Sequence, residues 1–210
     1  MAASPRQRRE PLQARSRETV ERILAAAGEL IVEEGVDAAT TTAIAARAGV
    51  GPSSLYRFFS DRDALFALLL EAEVKEIERV AQAGEDAWEV RSVRDYVQRM
   101  LEMFLNYHER RPLFVRLWFG GRVSPAVTAI AQAGNVALAE RAREHLVAAG
   151  LVAEDSPREV ALLAVEVGDR ILELAFRGRQ RADRRVIAEG AEMLIGYLEG
   201  SAGPSRSSSR

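Results

Sequence analysis

The sequence lacks cysteine, and it has no apolar run long enough to cross a membrane. Without cysteine, the 210-residue chain has no disulfide framework and no thiolate metal site, which fits a reducing, cytoplasmic location. The longest clean apolar stretch, residues 64–70, is far short of the ~20 residues that span a bilayer. The Arg- and Pro-rich N-terminus does not match a secretory signal. Strand-like alternation and hairpin turns are also absent, which argues against a β-sheet fold.

The usual catalytic and cofactor motifs are missing as well. The only two histidines, His108 and His145, fall on different predicted helices. The chain contains no Gly-x-Ser-x-Gly elbow, no P-loop and no dinucleotide-binding glycine motif after a strand. We therefore expect neither an enzyme nor a cofactor, and the residue spacing supports no metal site.

Charge is unevenly distributed along the chain. The formal net charge is −2, so any nucleic-acid binding must rest on a local patch. The first 17 residues carry five arginines against one glutamate, a local net of +4 (5 − 1). This segment, predicted as a flexible basic arm over residues 1–16, is either a solvated tail or an arm that contacts phosphates or a minor groove. The Gly-, Ser- and Pro-rich residues 200–210 predict a disordered tail.

Apolar residues recur at helical spacing almost throughout, which predicts an all-α fold of about nine helices. Gly, Pro and capping residues place these helices at about 17–34, 42–48, 52–59, 61–83, 92–109, 112–119, 125–150, 157–178 and 183–199. Residues 84–91 are predicted to be a loop, and Ser156 is predicted to cap the eighth helix. Residues 17–62 form one predicted domain and residues 63–199 a second.

Residues 41–59 have the pattern of a helix-turn-helix. Thr41 is suited to cap the first short helix, Gly49 to take a positive φ in the turn, and Val50 to insert between the helices. Leu55 and Phe59, four residues apart, anchor the second helix from below. The outward positions of that helix then suit phosphates and base edges; they are Pro52, Ser53, Ser54, Tyr56 and Arg57. Arg62 is placed for a flanking phosphate. The same pattern also occurs as a plain turn between two core helices.

The segment from about Arg17 to Leu70 resembles the DNA-binding domain of the tetracycline repressor (TetR) family. The matching stretches are Ile23–Ala27, Glu34-Gly35, Thr40–Ala45, Ala48-Gly49-Val50, Leu55-Tyr56 with Phe58 or Phe59, and Leu65-Phe66. The resemblance implies that operator contacts come from Thr41, Thr42, Pro52, Ser53, Ser54, Tyr56, Arg57 and Arg62. One departure is Gly51, where similar proteins often carry a Ser or Thr cap that reaches a phosphate.

The last two helices carry broader apolar faces than packing on one side requires. A regulator that reads a palindrome needs a two-fold axis, because its recognition helices must reach successive major grooves. The resemblance implies a four-helix dimer interface, for which we select Val160, Leu163, Val167, Ile171, Leu174, Met193, Leu194 and Tyr197. The alternative is that both helices are buried in a monomer.

The fifth and sixth helices hold the densest aromatic and methionine cluster in the chain. It is either ordinary core or the lining of an apolar ligand cavity with a few polar groups. The residues selected for such a cavity are Met100, Phe104, Tyr107, His108, Phe114, Trp118, Asn135 and Asp169.

Together these features predict a TetR-like regulator, most simply a repressor that binds a palindromic double-stranded DNA operator as a homodimer. A small apolar or amphipathic effector would release it, and the fourth helix would link the two domains. The alternatives are a DNA-binding regulator without a small-molecule effector, a ligand-dependent activator, and a helical interaction module that binds no DNA.

Overall fold

A computed structural model of the chain describes residues 5–119, 125–179 and 181–201, with side chains from Arg15 onward. Over these residues the fold is all-α, as the helical spacing predicted. The helices are α1 (Pro5–Glu34), α2 (Thr41–Arg47), α3 (Pro52–Tyr56), α4 (Arg62–Ala87), α5 (Val93–Arg110), α6 (Pro112–Phe119), α7 (Pro125–Ala148), α8 (Arg158–Phe176) and α9 (Arg184–Ser201). No helix in the described ranges is long and apolar enough to cross a membrane.

The first three helices pack around a shared apolar core. Ile23 of α1, Ile44 of α2 and Leu55 of α3 are fully buried in one hydrophobic cluster. The α2 cap differs from the prediction: the hydroxyl of Thr40 accepts a hydrogen bond from the Ala43 N–H at 3.2 Å, and Thr41 is the first helical residue. Both threonines are capable caps, but only Thr40 has the extended backbone that a cap requires.

The turn between α2 and α3 follows the predicted chemistry. Gly49 has a φ of 65°, which an L side chain rarely adopts, and Val50 is half-buried against the core. α3 begins at Pro52 but ends at Tyr56, three residues before the predicted end at Phe59. The N–H groups of Phe58 and Phe59 both donate to the Leu55 carbonyl at 3.0 Å, and this tightened turn closes the helix while keeping Phe59 buried.

The chain ends also differ from the prediction. α1 begins at Pro5 instead of Arg17, so residues 5–16 are helical. The segment contains four arginines and two glutamines, which are good helix formers, and Pro5 is well suited to a first helical position. α9 includes Gly200 and Ser201, and the rest of the predicted tail, like residues 1–4, lies outside the described residues.

The predicted loop over residues 84–91 is helical in its first four residues, because α4 runs through Gly84 to Ala87. A Cβ atom added to Gly84 would lie 2.9 Å from Cζ2 of Trp88. The glycine therefore makes room for the Trp88 ring, which folds back onto the helix, and it does not mark a helix end. As a result, Glu85 belongs to the helix and is buried in the protein interior.

The start of α8 is a further difference. Pro157, not Ser156, is its N-cap, and no side chain caps the helix. Ser156 is buried instead, and its carbonyl accepts a hydrogen bond from Nε of Arg143 at 3.2 Å. This bond ties the loop before α8 to α7 and takes the serine out of the capping position.

The remaining helices build a second, larger unit. α8 packs on both α7 and α9, α4 packs on α7, and α5 packs on α9. The approach of α8 and α9 is close, since a Cβ added to Gly190 would lie 2.5 Å from Cγ2 of Ile171. α4 belongs to both units: Leu65 and Phe66 complete the core of the first three helices, while Val74 and Ile77 extend the same cluster toward Phe114 of α6.

Candidate DNA-binding face and ligand cavity

The outer side of α3 presents polar side chains to solvent. Tyr56 is 54% exposed, and Pro52, Ser53 and Arg57 are also exposed, while Ser54 is half-buried. Leu55, between them, is fully buried and fixes the rotation of the helix. The arrangement directs hydroxyls, a phenol and a guanidinium away from the protein, where they can bind phosphates and base edges.

The other predicted DNA-contacting residues surround this face. The Thr41 hydroxyl lies 3.1 Å from the Tyr56 hydroxyl, which connects the start of α2 to α3, and Thr42 is exposed beside it. Arg62, at the start of α4, is half-buried with its guanidinium 5.3 Å from the centre of the Phe66 ring. The Arg57 guanidinium lies 4.7 Å from the centre of the Phe58 ring, so both cations rest on aromatic faces.

A cavity of about 130 Å³ lies in the second unit, between α4, α5, α6, α7, α8 and α9. Seven of the eight residues selected for a ligand cavity line it: Met100, Phe104, His108, Phe114, Trp118, Asn135 and Asp169. Aliphatic residues of α4 and α8, among them Val74, Ile77, Ala164 and Val165, complete the wall. The sequence pattern therefore selected the aromatic part of the lining except Tyr96, but not the aliphatic part.

Tyr107 does not line this cavity. Its side chain points to α4, where the hydroxyl donates to the Glu73 carbonyl oxygen at 3.1 Å. The buried Glu73 carboxylate is also held by Arg111, with Nη2 2.6 Å from Oε1 and Nε 3.0 Å from Oε2. We refer to Glu73, Tyr107 and Arg111 as the α4 clamp, because they fasten the middle of α4 to the junction of α5 and α6.

His108 is the most buried polar residue of the lining, with 3% of its surface exposed. Its ring stacks on Phe119 and Phe176, and Nδ1 lies 2.5 Å from the Phe104 carbonyl oxygen. Burial lowers the pKa of His108 to about 4, against the weaker opposing effect of that hydrogen bond. The imidazole is therefore neutral at pH 7, with its proton on Nδ1.

Asp169, Trp118 and Asn135 form the polar part of the wall between α6, α7 and α8. The Trp118 indole N–H donates to Oδ1 of Asp169 at 2.5 Å, and the Asn135 amide donates to Glu166 at 3.3 Å. Burial raises the pKa of Asp169 to about 6, the Trp118 hydrogen bond opposes the shift, and the nearby carboxylates of Glu166 and Glu173 add to it. The aspartate is thus an ionised group at pH 7 in an apolar surrounding.

A polar network at another part of the cavity was missed by the sequence interpretation. The Tyr96 hydroxyl donates to Oε1 of Glu85 at 2.7 Å, and Nε of Arg141 donates to Oε2 at 2.8 Å. Tyr96 and Arg141 both line the cavity, and Glu85 is 4% exposed. Burial, followed by the adjacent Glu85 charge, raises the pKa of Tyr96, so its hydroxyl stays protonated.

The predicted dimer residues divide into two groups. Leu163 and Leu174 of α8 and Met193 and Tyr197 of α9 are exposed, at 52%, 41%, 54% and 37%. Ile171 and Leu194 are buried where α8 and α9 pack together, and Val160 and Val167 are half-buried. The exposed group places four large apolar side chains on the outer surface of one helix pair.

An exposed polar helix anchored by a buried leucine, preceded by a tight turn and joined to a helical unit with a cavity, is typical of DNA-binding proteins of the helix-turn-helix class. The sequence model of a protein family, the bacterial regulatory proteins of the tetR family, matches residues 23–69. The model of the tetracyclin repressor-like C-terminal domain matches residues 91–202. The chain belongs to the TetR family of transcriptional regulators, which bind DNA and are not enzymes, as the sequence predicted.

Solved structures agree with this assignment. A TetR-family regulator from Streptomyces coelicolor is 29% identical, with a TM-score of 0.65 over 87% of this chain and 99% of that one. A TetR-family regulator from Pectobacterium atrosepticum is 23% identical, with a TM-score of 0.66 over 92% and 98%. The multidrug binding protein EbrR, complexed with imidazole, is 20% identical, with a TM-score of 0.61 over 84% and 94%. No protein of curated function matches the sequence.

Proposed function

We propose that the chain is a repressor that binds a palindromic operator as a homodimer and leaves it when a small apolar or amphipathic effector occupies the cavity. Because it would act on chromosomal DNA, we assign it to the cytoplasm. The observation that carries the proposal is the pairing of an exposed polar α3 face with an apolar cavity in the same chain.

The proposed DNA contacts rest on exposure and hydrogen-bonding capacity. Tyr56 and Arg57 project from α3 while the buried Leu55 holds that helix in place. An arginine in a major groove can donate two hydrogen bonds to guanine, and a tyrosine hydroxyl can donate to a phosphate. Thr41, Thr42, Pro52, Ser53, Ser54 and Arg62 are the further proposed contacts. Gly51 brings no hydroxyl to the helix start, so a phosphate contact from that position is not expected.

The proposed homodimer rests on the apolar surface of α8 and α9. Leaving four large apolar side chains exposed on one helix pair is unfavourable in water, and a two-fold contact would cover them. Val160, Leu163, Val167, Leu174, Met193 and Tyr197 would face the partner, while Ile171 and Leu194 would support the helices from inside.

The proposed effector site rests on the composition of the cavity wall. Apolar and aromatic side chains provide most of its lining, and polar groups are few and placed on different helices, as in small-molecule sites generally. Met100, Phe104, Phe114 and Trp118 would supply the apolar contacts. Asn135, Asp169 and His108 would orient the ligand.

The proposed release of DNA rests on the continuity between the cavity wall and the first three helices. Val74, Ile77, Phe114 and Trp118 line the cavity, and all of them pack in the same cluster as Ile44 and Leu55. A ligand that displaces this wall would therefore act on the packing that positions α3. By linkage, DNA must weaken effector binding to the same degree that the effector weakens DNA binding.

The test is an operator-binding measurement with matched arginine variants. A duplex selected from a randomised pool by the wild-type protein would be labelled and titrated by fluorescence anisotropy. We expect Arg57→Ala to weaken binding about 10- to 100-fold, because each half-site loses a base or phosphate contact. The control is Arg79→Ala, which removes an exposed arginine of α4 that pairs with Glu76 of the same helix. Equal affinities of both variants would contradict the assigned recognition helix.

A second measurement tests the effector. Small apolar and drug-like compounds that raise the melting temperature would be added to the preformed operator complex. We expect stabilising compounds to release the DNA. Compounds that stabilise the protein but leave the complex intact would favour a regulator whose DNA binding is independent of the cavity.

A further inference from the structure

Two buried side-chain atoms in the described part of the chain have no hydrogen-bond partner, and both belong to residues that line the cavity. They are Nε2 of His108 and Nη2 of Arg141. More than nine in ten buried polar groups in proteins are paired, since an unpaired group loses its hydration without compensation. Two exceptions in the wall of one cavity indicate that a molecule from outside the chain supplies the partners.

The hydrogen-bonding sense of His108 follows from its surroundings. Nδ1 is engaged by the Phe104 carbonyl oxygen, which can only accept, so Nδ1 carries the ring proton. Nε2 then holds a lone pair and accepts. The ring is 3% exposed and stacked between Phe119 and Phe176, so its orientation is fixed. It needs an O–H or N–H donor.

Arg141 has the opposite requirement. Its Nε and the Tyr96 hydroxyl occupy the two oxygens of Glu85, which leaves Nη2 as a donor without an acceptor. The Glu85 charge already balances the arginine, so a neutral acceptor such as a carbonyl oxygen is sufficient. Glu78 and Asp169 also line the cavity, and their carboxylates disfavour an anion.

The two unpaired atoms lie toward different ends of the cavity. Tyr96, beside Arg141, and His108 are 12 residues apart on α5, which corresponds to about 18 Å along the helix axis. Met100 and Phe104 line the wall between them. A volume of about 130 Å³ holds on the order of ten water-sized groups. The space therefore suits a slender chain rather than a broad ring system.

We propose that the cavity binds an elongated, uncharged amphipathic molecule that donates a hydrogen bond to His108 at one end and accepts one from Arg141 at the other. An aliphatic chain joins these ends and contacts Met100 and Phe104. The inference rests on the proposed function in that it assigns a chemical class to the effector of the same cavity.

The experiment compares three ligands of one chain length with the purified full-length protein by isothermal titration calorimetry. They are the methyl ester of omega-hydroxydecanoic acid, methyl decanoate, which lacks the donor, and omega-hydroxydecanoate, which is an anion. We expect the hydroxy ester to bind about ten-fold tighter than methyl decanoate, because one hydrogen bond separates them. It should also bind tighter than the carboxylate, whose negative charge is unfavourable beside Glu78 and Asp169.

Two variants locate the ends of the ligand. His108→Phe keeps an aromatic ring among Phe119 and Phe176 but removes the acceptor. It should lower the affinity ratio of hydroxy ester to methyl decanoate about ten-fold relative to wild type. Arg141→Lys keeps a counter-charge for Glu85 but removes the second N–H. It should weaken both esters several-fold and leave their ratio unchanged. Circular dichroism and melting temperature would verify that both variants fold.

An unchanged ester ratio in His108→Phe, or a carboxylate that binds as tightly as the hydroxy ester, would overturn the ligand class. Failure of all three probes to bind would overturn it too. If other compounds then still release the operator, the proposed function survives. If none binds the protein and none releases the operator, both are wrong.

Discussion

The two units of the molecule satisfy their buried groups differently. In the helix-turn-helix the core is closely packed: Ile23, Ile44 and Leu55 are fully buried, and no unpaired buried side-chain atom occurs among its described residues. The helical unit behind it contains a cavity, two unpaired buried atoms and most of the exposed large apolar side chains. The unpaired buried atoms and most of the exposed apolar surface thus fall in the second unit, where we propose that a ligand and a partner bind.

This difference indicates where ligands and partners act. A closely packed core holds in place the polar face that we propose to contact DNA. An incomplete unit gains stability when its cavity is filled or its apolar surface is covered, so binding changes its conformational preferences.

The largest effect is expected from the exposed surface of the second unit. Changing Leu163 and Met193 together to Glu places charges in the proposed two-fold contact, and each is present twice. We expect the dimer dissociation constant to rise at least about 100-fold, because two apolar contacts are lost and charges are buried on both sides. Sedimentation equilibrium measures the assembly, and operator affinity should fall with it.

The matched control is Val136→Glu. Val136 is 48% exposed on α7, so the substitution adds a charge to an apolar surface residue outside the α8–α9 face. It should leave assembly unchanged. Dimerisation that survives the double change, or that is lost in the control, would show that partners meet through another surface.

A smaller effect on stability is expected when the buried titratable groups of the second unit change protonation. His108 has a pKa of about 4 in the folded chain, below its ordinary value of about 6.5, so between these values the unfolded state binds more protons. Its contribution to stability is fully present above pH 6.5 and is lost as the pH falls toward 4. It amounts to roughly 3 kcal/mol. In urea unfolding, the free energy of unfolding should therefore fall less between pH 7 and pH 5 in His108→Phe than in wild type.

Protonation of Asp169 has the opposite effect on stability to protonation of His108. The folded pKa of Asp169 is about 6, above the ordinary value near 3.9, so its contribution is present below pH 3.9 and is lost as the pH rises through 6. Asp169→Asn should consequently lose more stability on acidification than wild type. If acidification to pH 5 destabilises all three proteins equally, neither buried group controls the pH dependence.

The smallest effect is expected in the helix-turn-helix, where Gly49 and Gly51 of one turn have different backbone conformations. Gly49→Ala should lower the free energy of unfolding by about 1 kcal/mol, because a φ of 65° crowds a Cβ atom. Gly51→Ser should raise it by a few tenths of a kcal/mol, since Gly51 has a φ of −71° and its new hydroxyl can cap α3.

Apart from the glycine and its two chain neighbours, no heavy atom of the described residues lies within 4 Å of a Cβ added at either position, so tertiary packing does not explain a difference between the two variants. Thermal unfolding of both variants measures this difference in stability. A gain in stability for Gly49→Ala would mean that the turn relaxes easily and that the first unit is less rigid than its core suggests.

Most of the first unit was predictable because its constraints are local. Pro52, Gly49 and the buried pair Leu55 and Phe59 act within one or two turns of chain, so their spacing fixes which side of α3 faces outward. The cap at Thr40 was missed, since Thr40 and Thr41 are adjacent and both can cap a helix. The extension of α1 was missed because residues 5–16 contain too few apolar side chains to show helical spacing.

The second unit was predictable in its helices but only partly in its site. Its cavity depends on contacts between distant segments, and Arg141 meets Glu85 across 56 residues. Because Gly84 was predicted to end α4, Glu85 was assigned to a loop and not to the buried face of a helix. Tyr107 was assigned to the cavity from its aromatic neighbours, because helical spacing alone does not show that its hydroxyl binds Glu73.

The position of the α4 clamp has a mechanical consequence. Glu73 lies 11 residues from Arg62 and 14 from Ala87, so the clamp holds α4 near its midpoint, with about 17 Å of helix on one side and about 21 Å on the other. In the proposed regulator, a ligand that moved the Ala87 end sideways by about 2 Å would, if α4 tilted as a rigid rod about the clamp, move Arg62 by about 1.6 Å in the opposite direction. That distance is enough to separate a hydrogen-bonded pair, so a small movement at the cavity would suffice to break a DNA contact.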